Sequence, residues 1–180
     1  MSFDVPFLSQ YEGIRDSDWQ WRGCGIVSLA MVLHYWHAVD PANRNAGVTE
    51  LLERGRELGA YREGIGWSHA GIAELARQYG YRAYNRDLAP NGRTPMSVSE
   101  ALEELRRDVS HGPVLASVFE GLDPERGGGH IVVVTGMDDD LISFNDPEQN
   151  VEREGRRILA IRSFGRAFKR RTICIIPEHQ

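Results

Sequence analysis

From Gly25 onward apolar residues recur at helical spacing: Ile26, Leu29, Ala30, Leu33 and Trp36 fall on one stripe. The pattern predicts a long helix ending near His37, ahead of Asp40-Pro41. Thr49 to Arg54 predicts a second helix with a polar cap. Ser68 caps a third over 70–79, closed by Gly80. Ser97 or Ser99 caps a fourth over 100–109, ended by Gly112-Pro113. Alternating or continuous β-branched runs then predict strands at 114–119, 130–135, 141–145 and 172–176. Short strands are expected at 3–9 and 81–84, and loops at 11–23 and 61–68. Residues 158–168 fit a helix or a broken strand. Helices first and strands afterwards predict an α+β fold, with helices against one face of a mainly antiparallel sheet.

Composition narrows this picture little. The chain has 180 residues, 41% of them hydrophobic and 26% charged, which is ordinary for one soluble domain spanning 1–180. The net charge of -5 gives no reason to expect nucleic acid. Lys169-Arg170-Arg171 reads as a solvated strand edge. Cys24 and Cys174 make neither a disulfide framework nor a spaced zinc site. No signal peptide and no membrane-length apolar segment is present, so the expected location is cytoplasmic, where thiols stay reduced.

The chemistry begins at Trp21-Arg22-Gly23-Cys24-Gly25. A thiol at a helix start meets unpaired first-turn N–H groups and the positive end of the helix dipole, both of which favour a thiolate nucleophile. His130 and Asp146 flank two strand patterns joined by Gly136-Met137-Asp138-Asp139-Asp140. A turn centred on Asp138 puts residue 130 opposite residue 146, on one face, where a carboxylate can orient the imidazole. Asn145 has the same chemistry but the opposite phase. The Cys24 N–H is one candidate oxyanion donor, and the side-chain amide of Gln10 or Gln20 is the other. Gly127-Gly128-Gly129 fits a surface loop or a substrate gate.

Other features read as structure. Cys174 alternates inside an apolar strand. His34 and His37 lie one turn apart without a third ligand. Asp138-Asp139-Asp140 is a turn rather than a calcium loop. Trp36 belongs to the core stripe, while Trp19 and Trp21 flank the cysteine and could wall a cleft. No cofactor and no metal is expected.

Four segments carry a resemblance. Val5-Pro6-Phe7-Leu8-Ser9-Gln10, Gly23-Cys24-Gly25-Ile26-Val27-Ser28-Leu29-Ala30-Met31-Val32-Leu33, Gly129-His130-Ile131-Val132-Val133-Val134-Thr135-Gly136 and Asn145-Asp146-Pro147 occur in that order. Together the chain resembles the papain-like, bacteriocin-processing (double-glycine leader) peptidase-like family in its stand-alone branch, over roughly residues 4–176. The resemblance implies a papain-like fold with the nucleophile at a helix N-terminus packed on the sheet. It implies Cys24 as nucleophile, His130 as general base and acid, Asp146 as orienter, and Gln10 in the oxyanion hole. The long interval between Gln10 and Cys24 departs from the pattern and leaves Gln20 open. The chain also lacks the membrane and nucleotide-binding domains of transporter-fused members, which leaves a leader-peptide substrate open.

The expected activity is cysteine peptidase or amidase chemistry through a thioester, acting on a peptide or small amide. Transfer of the acyl group to an amine is one alternative. A peptide-binding module with an idle triad is another. The acidic balance favours an extended, basic peptide.

Overall fold

The computed structural model describes residues 2–89 and 94–179. A six-stranded antiparallel sheet forms its centre, its strands lying side by side in the order 81–87, 168–177, 114–119, 129–137, 141–145 and 156–160. The strands are β3 (Tyr81–Asp87), β4 (Val114–Phe119), β5 (Gly129–Met137), β6 (Leu141–Asn145), β7 (Arg156–Ala160) and β8 (Phe168–Pro177). β1 (Tyr61–Arg62) and β2 (Gly66–Trp67) make a separate small hairpin inside the expected 61–68 loop.

The N-terminal half is helical. Ser9 and Asp16 cap two one-turn helices, α1 (Gln10–Gly13) and α2 (Ser17–Gln20), within the segment expected to be loop. The long helix α3 runs Cys24–Val39, and α4 runs Val48–Glu57. Ser68 caps α5 (His69–Gln78) through the Gly71 N–H. Between Ser97 and Ser99, it is Ser97 that caps α6 (Val98–Val109), in a reciprocal box with Glu100. α7 (Glu152–Gly155) and α8 (Ile161–Ala167) complete the set. The undecided 158–168 stretch is both things in turn: the end of β7, then α8.

Three expectations need correction. Residues 3–9 form no strand: Ser2 bridges Gly136, Phe3 donates to the Thr135 carbonyl, and the chain then leaves the ladder. Pro6 has no N–H to contribute, and the Val5 carbonyl is taken by the Asn145 side chain instead. The helices also cover both faces of the sheet rather than one. α3, α4 and α5 share one core with Leu115, Ile131, Val133, Ile173 and Ile175, while α6 and α8 share another with Val114, Ala116, Val132, Val134 and Phe144. β4 and β5 are apolar on successive residues, so both faces demand cover. Cys174 lies in the second core, as expected, where burial pushes its thiol up to about 12.

The third correction concerns register. Asp138 accepts from the Asp140 and Leu141 N–H groups, which moves the turn beyond Asp138. A bulge between Val134 and Gly136 follows, and Val133 then pairs with Asn145. Continued, that register would put Glu148, not Asp146, opposite His130.

Candidate active site

Cys24 is the first residue of α3, and its N-cap Gly23 offers no side chain to the first-turn N–H groups. Both flanking glycines are required by packing. A Cβ on Gly25 would lie 2.9 Å from Ile72 Cδ1 and 3.0 Å from Trp67 Cβ. One on Gly23 would lie 2.2 Å from Ile14 Cδ1 and 3.3 Å from Gln10 Cβ. The small residues let the helix start sit against its neighbours with the thiol partly exposed.

His130 reaches the same cleft from β5. The Ser28 hydroxyl donates to the Ile131 carbonyl at 3.2 Å, tying the second turn of α3 to the residue after His130. The buried imidazole donates from Nε2 to Asp146 Oδ1 at 2.7 Å, which leaves Nδ1 for the cleft. Asp146 makes this bond from the turn just past β6, so the pairing follows from chain reversal rather than from a shared ladder position. Burial alone would lower the His130 pKa; the hydrogen bonds and charges of Asp146 and Cys24 outweigh it and raise the pKa to about 10.

Asp146 is itself held ionised. Burial favours its neutral form, but His130, the Glu148 N–H and Arg157 together push its pKa below the usual carboxylate value. Arg157 Nη1 lies 3.1 Å from Oδ2, and sequence reasoning missed it because its position on β7 has no local signature. Asn145 points elsewhere, donating to the Val5 carbonyl at 3.0 Å.

The two glutamines separate clearly. The Gln20 amide spends its donors on the Tyr11 and Ile14 carbonyls, at 2.9 and 2.8 Å. Gln10 is 2% exposed and packs beside Gly23; its backbone N–H donates to the Pro147 carbonyl. Its side-chain oxygen is buried without a partner. Gln10 begins α1 rather than ending a strand, and the Ser9 cap sets its orientation.

Cys24 and His130 line a cleft of about 720 Å³. Trp21 and Trp67 wall it, with the Trp67 indole N–H donating to the Arg22 carbonyl. Trp19 instead packs edge-on against Tyr61, behind the wall. The glycine triplet is held at its second and third residues, since the Gly128 carbonyl accepts from Lys169 and Gly129 begins β5. Lys169 and Arg171 line the cleft instead of forming a solvated edge. His69 and Ser117, also unanticipated, face it with an Nε2···Oγ contact of 2.5 Å.

Among the described residues, His130, Asp146 and Glu148 are the grouping with metal-like spacing, their ligand atoms lying within 4.8 Å of one another. Asp146 already serves His130 and Arg157, so a cation would have to displace both. His34 and His37 each bond a carbonyl of the loop after α3, those of Ala46 and Asn43. Among the described residues no helix is long and apolar enough to cross a membrane.

The fold is similar to three solved structures. A double glycine motif protease from an AMS/PCAT transporter, in complex with its leader peptide, is 21% identical with a TM-score of 0.60, covering 98% of this chain and 94% of that one. The peptidase domain of Streptococcus ComA, a bifunctional ABC transporter involved in a quorum-sensing pathway, is 17% identical with a TM-score of 0.60, covering 97% and 99%. A protein from Bacillus anthracis described as a C39-like peptidase is 20% identical with a TM-score of 0.64, covering 97% and 96%. No curated protein matches the chain. The model of the Peptidase_C39 like family matches residues 2–172, so the chain belongs to that family and is a papain-like cysteine peptidase.

Proposed function

We propose that this enzyme cleaves peptide bonds through a Cys24-His130-Asp146 triad with Gln10 and the Cys24 N–H as oxyanion donors. The observation that carries the reading is the buried 2.7 Å bond to Asp146 made by His130, which lines the same cleft as Cys24 at its helix start. Asp146 fixes the imidazole tautomer, so Nδ1 faces the thiol. The Cys24 thiol gives its proton to Nδ1 of His130, and the resulting thiolate attacks the scissile carbonyl carbon, so that the negative charge passes to the carbonyl oxygen. Gln10 and the helix-start N–H meet that charge. The imidazolium gives its proton to the leaving amine as the C–N bond breaks, leaving a thioester. A water, losing a proton to His130, attacks the thioester; the acid is released and the thiol restored.

The substrate is a peptide. The bound leader peptide of the AMS/PCAT protease and the open, aromatic-walled cleft of this chain support that class. Residues 1–180 act as one catalytic unit in a reducing, cytoplasmic setting in which Cys24 stays a free thiol.

The test is mass-spectrometric. At pH 6.5 iodoacetamide alkylates Cys24 in wild type at least about tenfold faster than in His130→Ala, since removing the base costs roughly 10²–10⁴ in proton-transfer chemistry. A peptide mixture incubated with wild type then yields new termini that Cys24→Ala does not produce. Equal alkylation of both proteins would sink the triad. Amine adducts in place of hydrolysed products would show acyl transfer instead, and bound but uncut peptide would show a binding module.

A further inference from the structure

We propose that the cleft contains a carboxylate-binding subsite on an irregular turn of β8, with Lys169 as its charged anchor. This deepens the peptidase reading above by naming a class of substrate: peptides that carry a carboxylate.

The backbone provides the first argument. Ala116 pairs with Thr172 and Val118 pairs with Phe168, so β8 places three residues between these pairs where β4 places one, Ser117. The surplus is a bulge over Lys169, Arg170 and Arg171. Arg170 adopts φ 56°, a left-handed conformation that costs a non-glycine residue energy. Its guanidinium leaves the cleft to bond the Met96 carbonyl, while Lys169 and Arg171 both line it. Bulges beside active sites re-aim side chains, and this one aims two cations.

Local charge is the second. The chain carries -5 overall, yet the cleft lining holds Arg22, Arg62, Lys169 and Arg171 against one carboxylate, Glu63. Glu63 pairs with Arg22 and Asp87 with Arg171. Among the described residues Lys169 has no carboxylate partner. Its ammonium sits 3.2 Å from the Gly128 carbonyl and 5.0 Å from the centre of the Phe119 ring. Partial burial, reinforced by Arg171, lowers its pKa, as expected of a cation lacking its anion.

The third argument is placement. A Cβ at Gly129 would lie 3.6 Å from Lys169 Nζ, so the ammonium stands beside the residue preceding His130. Ser117, opposite Ile131, adds a hydroxyl shared with His69, and Asn85 adds an amide. Lys169 is also the only lysine in a chain with 20 arginines. An ammonium presents a compact charge with three donors, suited to a single carboxylate oxygen approached from varied angles. The basic peptide favoured by net charge is therefore replaced by an acidic one.

A displayed peptide library captured on Cys24→Ala protein tests this without turnover. Retained peptides are expected to be enriched in Asp or Glu at one position, or to end in a free carboxylate. Synthetic versions with the acid made an amide, or the terminus amidated, separate those two sources. Lys169→Gln weakens binding of the acidic peptides at least fivefold and leaves their amide counterparts unchanged, while Lys169→Arg retains most of the affinity. Acetylating the folded protein at its only lysine gives the same loss without a substitution. Retained peptides lacking acidic enrichment, no retained peptide, or equal losses for acid and amide would overturn the subsite. If wild type binds the retained peptides and cuts none, the peptidase reading fails and the subsite stands.

Discussion

Asp146 receives four hydrogen bonds, from His130, the Glu148 N–H, Gln149 and Arg157, and is 3% exposed. A buried carboxylate so surrounded acts as a fixed negative charge. Arg157→Ala removes one support and leaves the His130 bond. The Asp146 pKa should rise, and the acid limb of the kcat/KM profile should move to higher pH, with KM little changed. An unmoved profile would show that Arg157 is only packing. The His130–Asp146 pair also links pH to stability. The raised His130 pKa gives a contribution complete below about pH 6.5, fading as pH climbs through about 10. The depressed Asp146 pKa gives one complete above about pH 4 and lost below it. The stability difference between wild type and Asp146→Asn in urea should therefore be widest near pH 5–6 and narrow in both directions.

At the scale of elements, α3 must be both buried and correctly seated. Gly25→Ala places a methyl against Ile72 and Trp67. The crowding should cost about 1–3 kcal/mol and displace the helix start, so that kcat falls more than the melting temperature suggests. Ser28→Ala removes the tie to β5 at a cost of about 1 kcal/mol. Urea melts and kinetics on the same samples check both. The helix was legible because its apolar stripe, its flanking glycines and its terminal Asp-Pro all agree. His130 and Asp146 were legible for a partly wrong reason: the Asx-type turn at Asp138 and the bulge at Thr135 moved the register, and the contact survives because Asp146 lies in the reversal after β6. Ser9 and Asp16 could have signalled α1 and α2 as caps, but helices of one turn have no periodicity to detect. Arg157 and Lys169 were not legible because they reach the site from β7 and β8, whose places in the sheet depend on the other strands, and His69 was not because it starts α5, a helix seated by the fold around it.

For the whole molecule, the sheet is the shared wall of two cores. Phe144 anchors the second, its ring centroid 5.5 Å from that of Phe164. Phe144→Ala should cost about 3–5 kcal/mol and, since Asn145 and Asp146 follow directly, should weaken peptide cleavage at temperatures where the protein is still folded. Thermal melting and activity measured together would show whether the two losses run in parallel.

The contact between the Gln10 N–H and the Pro147 carbonyl has a consequence for biosynthesis. Asp146 and Arg157 emerge from the ribosome more than a hundred residues after Cys24. At 5–20 residues per second that delay is on the order of ten seconds. Throughout it the nascent chain exposes the Cys24 thiol without the bonded His130–Asp146 pair or β8 beside it. The cleft around Cys24 is therefore incomplete while the chain is being made, and it is assembled only once the last strands reach the early helix. Late assembly of the cleft thus follows from the order of the elements along the chain.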